Sequence, residues 1–268
     1  MAATLSLVLV LILLPPSEGK TAPVRGAALD LDSLSLPLLT DTRQRMLEAL
    51  VALCGSDPNH AASVLGLSRT QFDLVARNAG LIEAPTARAD RIYTGVLYDA
   101  LGFGELSTAA KRRATARVAV TSSLFGLVRP GDRIPAYRLS GDATVPGVGQ
   151  VAAAWREALG PAMDEALGRG LLVDLRSTMY AGFWRPPAEL ADRVATVRVL
   201  HEKNGRRQVV SHFNKATKGR IVRALLEDGA DPRTPEDLAG ALERLGWTVE
   251  PGAPSRKGTQ LDVVVADL

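Results

Sequence analysis

Ser211-His212-Phe213-Asn214-Lys215-Ala216-Thr217-Lys218-Gly219-Arg220 gathers a hydroxyl, an imidazole, two amines and a guanidinium within one or two helical turns. An apolar run, Gln208 to Phe213, precedes a helical pattern, Lys215 to Glu227. The segment therefore reads as the end of a strand opening a helix. Backbone N–H groups at a helix start attract anions, and Lys215, Lys218 and Arg220 add positive charge. A phosphate or similar anion fits this chemistry, with His212 beside it. The alternative is a solvated basic helix face.

A second polar loop, Pro15-Pro16-Ser17-Glu18-Gly19-Lys20-Thr21, follows the apolar run Leu5 to Leu14. Gly19-Lys20-Thr21 imitates the end of a phosphate-cradling P-loop. The glycine that motif needs five residues earlier is Leu14, and Pro15-Pro16 removes two N–H donors, so an ATPase reading is rejected. What remains is a strand-end loop presenting Ser17, Glu18 and Lys20. The glutamate and lysine can serve as base and anion clamp, or pair with each other. A lysine beside other cations has a lowered pKa, which suits a nucleophile or proton shuttle. Glu18, Lys20 and Lys215 are thus the candidate catalytic groups. Arg129, Tyr137 and Arg138 belong to a third polar stretch. Tyr137 offers a stacking face for a base and Arg138 a phosphate fork, unless the tyrosine is a core-edge residue and the arginines form salt bridges.

The charge is small overall, +3, but uneven. Residues 111 to 138 hold seven Lys/Arg against Asp132, and residues 202 to 223 hold seven against Glu202. Two basic blocks on a near-neutral chain point to one local positive surface and an anionic partner, a nucleotide or nucleic acid. His60, His201 and His212 are far apart, and Cys54 is the lone cysteine, so neither a metal site nor a disulfide is expected. No cofactor motif is present, and no G-x-S-x-G elbow supports a serine triad. A reducing cytoplasm is the expected compartment. Leu5 to Leu14 imitates a signal-peptide core. It lacks a basic start and a cleavage site, and it is too short to span a bilayer. It reads better as a central strand buried on both faces, with no membrane partner.

Other elements follow from periodicity. Thr42 to Cys54 has helical spacing. Asn59 to Leu65 and Arg69 to Asn78 are two short helical pieces joined by Gly66-Leu67-Ser68, a helix–hairpin–helix-like pattern spanning about 57–78 or an ordinary helical corner. Val118 to Thr121 and Leu171 to Leu175 read as strands, and Val151 to Leu167 as a helix. Val194 to His201 and Gln208 to Phe213 flank Lys203-Asn204-Gly205-Arg206, a hairpin signal. Pro235 to Leu245 is helical, and Trp247 to Glu250 and Leu261 to Val265 are strands. The 268 residues, 46% hydrophobic, support a mixed α/β domain with its sheet covered by helices.

Several pieces taken together resemble the YaaA peroxide-stress protein family. They are the strand followed by Pro-Ser-Glu-Gly-Lys-Thr; Tyr93-Thr94-Gly95; Leu124-Phe125-Gly126-Leu127-Val128-Arg129-Pro130 with Ile134 to Leu139; Asp174-Leu175-Arg176-Ser177 with Tyr180; and Phe213 through Lys215 to Lys218-Gly219. The resemblance covers nearly the whole chain. It implies a single compact domain over residues 1–268, with helices around a central mixed sheet. It also implies a positively charged cleft, a helix–hairpin–helix element associated with double-stranded DNA, and a cytoplasmic role in limiting oxidative damage by iron and peroxide. The motifs add Thr94 and Ser177 to the candidate anion contacts. The Pro-Ser-Glu-Gly-Lys form is longer than the Pro-Ala-Lys form of other members.

The leading expectation is a monomeric, DNA-binding stress protein whose basic cleft contacts phosphates through Lys20, Arg129, Arg138, Lys215, Lys218 and Arg220. The alternative is an enzyme acting on a nucleotide or nucleobase. Either way, the segments Pro15 to Thr21, Ser122 to Pro130, Asp174 to Tyr180 and His212 to Gly219 are expected to converge on one cleft. A narrow pocket favours the enzyme, and a long open groove favours nucleic acid.

Overall fold

A computed structural model describes residues 10–203 and 205–266, apart from the side chain of Ser211. In chain order the first half comprises β1 (Val10–Leu14), α1 (Thr40–Ser56), α2 (Pro58–Val64), α3 (Asp73–Ala79), β2 (Ala87–Arg88), α4 (Ala89–Ile92), α5 (Val96–Leu101), α6 (Thr108–Arg117), β3 (Val118–Ser122) and β4 (Gly126–Val128). Then come β5 (Arg133–Ile134), β6 (Thr144–Val145), β7 (Gly149–Gln150), α7 (Val151–Leu167), β8 (Leu171–Asp174), α8 (Thr178–Ala181), β9 (Val194–Lys203), β10 (Arg206–Gln208), α9 (Ser211–Asp228), α10 (Pro235–Arg244), β11 (Thr248–Pro251) and β12 (Thr259–Ala266).

The main sheet runs β11-β12-β9-β8-β1-β3-β4, with β10 paired to β9. Its centre is parallel: β3, β1, β8, β9 and β12 run the same way, and β4, β10 and β11 are antiparallel additions. This is the expected mixed α/β architecture. The apolar run at the start of the chain explains β1. Val10 to Leu14 are all buried, as a strand between parallel neighbours with both faces covered must be. The Leu5 to Leu9 part of the expected strand lies outside the described residues. Val10 and Ile12 face Leu225 and Leu226 of α9 and Leu238 of α10. Alternation turns Leu11 and Leu13 to the opposite face, where α7 packs on β1 and is itself backed by α1. From β1 the chain crosses first to β3 on one side, then returns to β8 on the other. The crevice beyond the carboxyl ends of β1 and β8 lies where the winding reverses, the usual ligand position in such sheets.

One expectation changes here. The segment Gln208 to Phe213 is not a strand: β10 ends at Gln208, and α9 begins at Ser211. The β-branched pair Val209-Val210 suggested a strand, but Val209 is exposed and the pair lies beyond the end of β10, where no sheet surface receives it. Lys215 and Lys218 therefore lie more than a full turn inside α9, where the helix-start field has faded. The two short pieces at 57–78 are α2 and α3, joined through a left-handed Gly66 (φ 63°) and a single 3-10 turn opened by Ser68. Gln71 accepts a hydrogen bond from the Ser68 N–H at 3.2 Å. Both helices pack on α1.

Candidate functional site

The loop leaving β1 is held from three directions. Tyr98 Oη on α5 donates to the Pro15 carbonyl at 2.7 Å. Ser17 Oγ donates to Gly19 O at 2.6 Å and accepts the Thr94 N–H at 3.1 Å. Lys20 and Tyr93 form an isolated antiparallel bridge, and the Thr21 N–H bonds Ile92 O at 2.9 Å. The polar loop and the Tyr93-Thr94-Gly95 turn thus fold as a unit, which aims the Lys20 side chain back over the end of the sheet.

Lys20 Nζ donates to Ser17 O at 2.7 Å and sits 4.2 Å from the centre of the Tyr137 ring and 5.5 Å from that of Tyr93. Beneath it the hydroxyls form a buried chain. Tyr93 Oη lies 3.2 Å from Tyr137 Oη, which lies 2.7 Å from Ser122 Oγ. Burial and the adjacent Arg138 guanidinium push the Lys20 amine down to about 7, with Glu18 opposing them. Glu18 is mostly exposed, and its carboxylate pairs with Arg138 Nη1 at 3.3 Å rather than with Lys20. The Arg138 Nε is buried without a hydrogen-bond partner.

These groups border a cavity of about 560 Å³ at the β1/β8 crevice, within the size range of small-molecule sites. Ser17, Glu18, Lys20, Thr94, Arg138, Ser177 and Lys215 all line it, joined by Tyr98, Ser140, Met179 and Tyr180. The loops after β1 and β8 and the first turns of α9 therefore meet, as expected. Ser122 to Pro130 contributes from behind, through the Ser122 hydroxyl under Tyr137.

The remaining candidates stand elsewhere. Tyr137 is buried and Lys20 covers its face, so that face cannot stack a base. Lys218 is turned to the Leu175 carbonyl at 3.1 Å, and burial lowers its pKa. Arg129 donates to the carbonyls of Ala116 and Val118, at 3.1 and 3.3 Å, outside the cavity lining. His212 and Arg220 are exposed on α9, also outside the lining. Asp174 and Arg176 form a buried two-point pair, and Arg176 also donates to Tyr180 O and Trp184 O. That pair shapes the loop presenting Ser177 and Tyr180.

One positioning residue has no signal in the sequence. Asn78, fully buried at the end of α3, donates to Arg138 O at 2.7 Å and accepts its N–H at 2.9 Å. The helical corner at 57–78 thereby holds the backbone that carries Arg138. Gly219 likewise sets the wall of the site. A Cβ there would lie 2.2 Å from Leu97 O, so only glycine lets α9 lie this close to α5. Among the described residues no group of three or more His, Cys, Asp or Glu is placed to hold a metal, and no helix is long and apolar enough to cross a membrane.

The family model described as peroxide stress protein YaaA matches residues 10–253. A UPF0246 protein of Streptomyces coelicolor is 52% identical over 260 residues, covering 96% of this chain and 99% of its own. A UPF0246 protein of Corynebacterium efficiens is 41% identical over 242 residues, covering 90% and 94%. One from Ruegeria is 30% identical over 222 residues, covering 74% and 87%. The matched span takes in β1, the loop bearing Lys20, the Arg138 segment and α9, so this chain belongs to the YaaA peroxide stress protein family.

Proposed function

We propose that the cavity at the β1/β8 crevice binds a small, nucleotide-like anion as part of a cytoplasmic peroxide-stress role, and that Lys20 acts on it as proton acceptor or nucleophile. The observation that carries this reading is the Lys20 amine itself. It is partly buried beside a cation, has no carboxylate ion pair among the described residues, and is held near neutral pKa. Catalytic amines are tuned in this way by burial and neighbouring charge. Arg138, whose Nε lacks a partner, and the exposed Lys215 form the anion clamp. Inorganic pyrophosphate and nucleoside monophosphates should raise the melting temperature of the full chain. Arg138→Ala and Lys215→Ala should each reduce that shift. A melting temperature indifferent to all of these anions removes the reading.

Duplex DNA is a second reading, supported by the exposed Arg206, Lys215 and Arg220 on and beside α9. The geometry favours it less, because Arg129 and Lys218 are turned to backbone carbonyls and lie outside the cavity lining. Binding through phosphates alone weakens steeply with salt and ignores sequence. Anisotropy titrations of a labelled duplex at several salt concentrations test this. An affinity unchanged by salt rules it out.

A further inference from the structure

Lys20 is placed for more than an anion contact. Lys20 borders the cavity, with one N–H of its amine tied to Ser17 O and the Tyr137 ring beneath it. No described ion pair claims it, because Glu18 turns to Arg138 instead. The lowered pKa leaves a large share of the amine uncharged near neutrality, with its lone pair free for bonding. The surrounding wall is divided by chemistry. Arg138 and Lys215 supply positive charge, Thr94 and Ser140 carry hydroxyls, and Tyr98 and Tyr180 are the aromatic members of the lining. Arg138, which borders the cavity, has the mostly exposed Glu18 carboxylate as its charged partner, at 3.3 Å from Nη1. A phosphate oxygen can take the place of that carboxylate, and an electrophilic carbon then falls to Lys20.

We propose that Lys20 forms an imine with an aldehyde that carries a phosphate, a sugar phosphate in its open-chain form, with Arg138 and Lys215 holding the phosphate. This rests on the anion-site reading above and gives its substrate class. The nitrogen lone pair adds to the carbonyl carbon, a C–N bond forms, and the carbonyl oxygen takes up the proton that the amine loses. The C–O bond of this carbinolamine then breaks. The oxygen leaves as water with a second proton, and the nitrogen gives up its remaining proton. Amine and aldehyde thus become imine and water, with no oxidant or reductant. When phosphate occupies Arg138, Glu18 is released beside Lys20 and can carry these protons. The same chemistry has two sources, a free sugar phosphate or an abasic deoxyribose within a DNA strand.

Reductive trapping tests this directly. The full chain is incubated with ribose 5-phosphate and sodium cyanoborohydride, then analysed by intact mass and peptide mapping. A parallel arm uses an oligonucleotide containing one abasic site, with the covalent product read on a denaturing gel. The expected result is a single reduced adduct on Lys20 in at least one arm, and the arm that traps identifies the source. The adduct should vanish in Lys20→Arg, which keeps the charge but forms no imine. It should form about tenfold more slowly in Arg138→Ala, since losing a charged hydrogen bond is of that order. Inorganic phosphate should compete with it. A thermal melt of Lys20→Arg and Lys20→Met identifies any variant that fails to fold. Adducts scattered over surface lysines, trapping unchanged in a folded Lys20 variant, or no trapping in either arm overturns the proposal. Equal trapping of unphosphorylated ribose overturns the phosphate assignment. Retained pyrophosphate binding without trapping would leave the anion site standing and remove only the imine.

Discussion

Cations occur in this protein in two settings, and the contrast separates structure from function. Around α6 and the β3–β4 turn they are spent on backbone carbonyls. Arg43, fully buried, donates to the Phe125, Ser35, Leu36 and Leu127 carbonyls, and burial pushes its pKa down to about 10. Arg113 donates to the carbonyls of Leu226 and Glu227 at the end of α9, and Arg117 to Ala230 O. These guanidiniums close the carbonyl ends of helices and turns, where positive charge is favourable. At the β1/β8 crevice Lys20 and Arg138 border a cavity instead. Among the described residues Lys20 has one hydrogen bond and no ion pair, and the Arg138 Nε has no acceptor. A satisfied cation is part of the fold, whereas an unsatisfied one beside a cavity implies a ligand. Arg113, Arg117 and Arg138 belong to the same basic block of the sequence, and only their partners tell them apart.

The contrast can be broken most severely at Arg43. Arg43→Leu leaves four carbonyls without this donor and is expected to cost about 3–5 kcal/mol, as loss of one partner of a buried charged network does. Urea unfolding measures this, and a loss below about 1 kcal/mol would remove Arg43 from the structural class. The folded fraction should still bind pyrophosphate.

Asn78→Ala joins the two classes. It removes two hydrogen bonds to the Arg138 backbone and is expected to cost about 1–3 kcal/mol. It should also weaken anion binding, although Asn78 touches no ligand. Equal losses of stability with unchanged binding would show that the corner does not position Arg138.

The Lys20 amine supplies a test in pH. Its native pKa lies near 7, below the ordinary lysine value of 10.5, so between these values the unfolded chain binds more protons than the native one. Stability from this group therefore rises with pH across that window, and below about 7 the native protein carries the charged amine at a cost. The stability advantage of Lys20→Met over the parent should shrink as pH rises from about 6 to about 10, on the order of that window. Competitive amine labelling followed by peptide mapping should show the Lys20 midpoint moving up in Arg138→Ala and down in Glu18→Gln. Arg138 lowers this pKa and Glu18 raises it, so movement in the opposite directions would refute the electrostatic assignment.

The smallest effect on stability belongs to Lys215→Ala. The side chain is exposed, and the change should stay within about 0.5 kcal/mol in a thermal melt. Pyrophosphate binding should weaken nonetheless. A large drop in melting temperature would move Lys215 into the structural class.

Patterns carried by neighbouring residues were legible without coordinates. The Val151–Leu167 helix and the strands at Val118 and Leu171 follow from period and apolar runs, because burial on one or both faces writes itself into local spacing. The Val10–Leu14 strand is central for the same reason. Helix α6 left no comparable trace, since Ala110 and Ala114 alone mark its buried side. The exposed segment before α9 was misread because β-branched residues favour strands only where a sheet surface receives them.

The residue types able to handle an anion were likewise set by sequence: Lys20, Arg138 and Lys215 stand in polar loops or at an element's end. Which of them share a cavity was decided by the winding of β1 against β3 and β8. Which cations face the cavity and which turn to backbone carbonyls was decided only on folding, with Leu175 O accepting from Lys218 and Ala116 O from Arg129. Asn78 and Arg138 stand far apart in the chain and touch only because α3 packs on α1. A hydrogen bond between distant segments imposes no spacing on either, so the sequence alone carries the chemistry on offer and the tertiary structure selects where it is used.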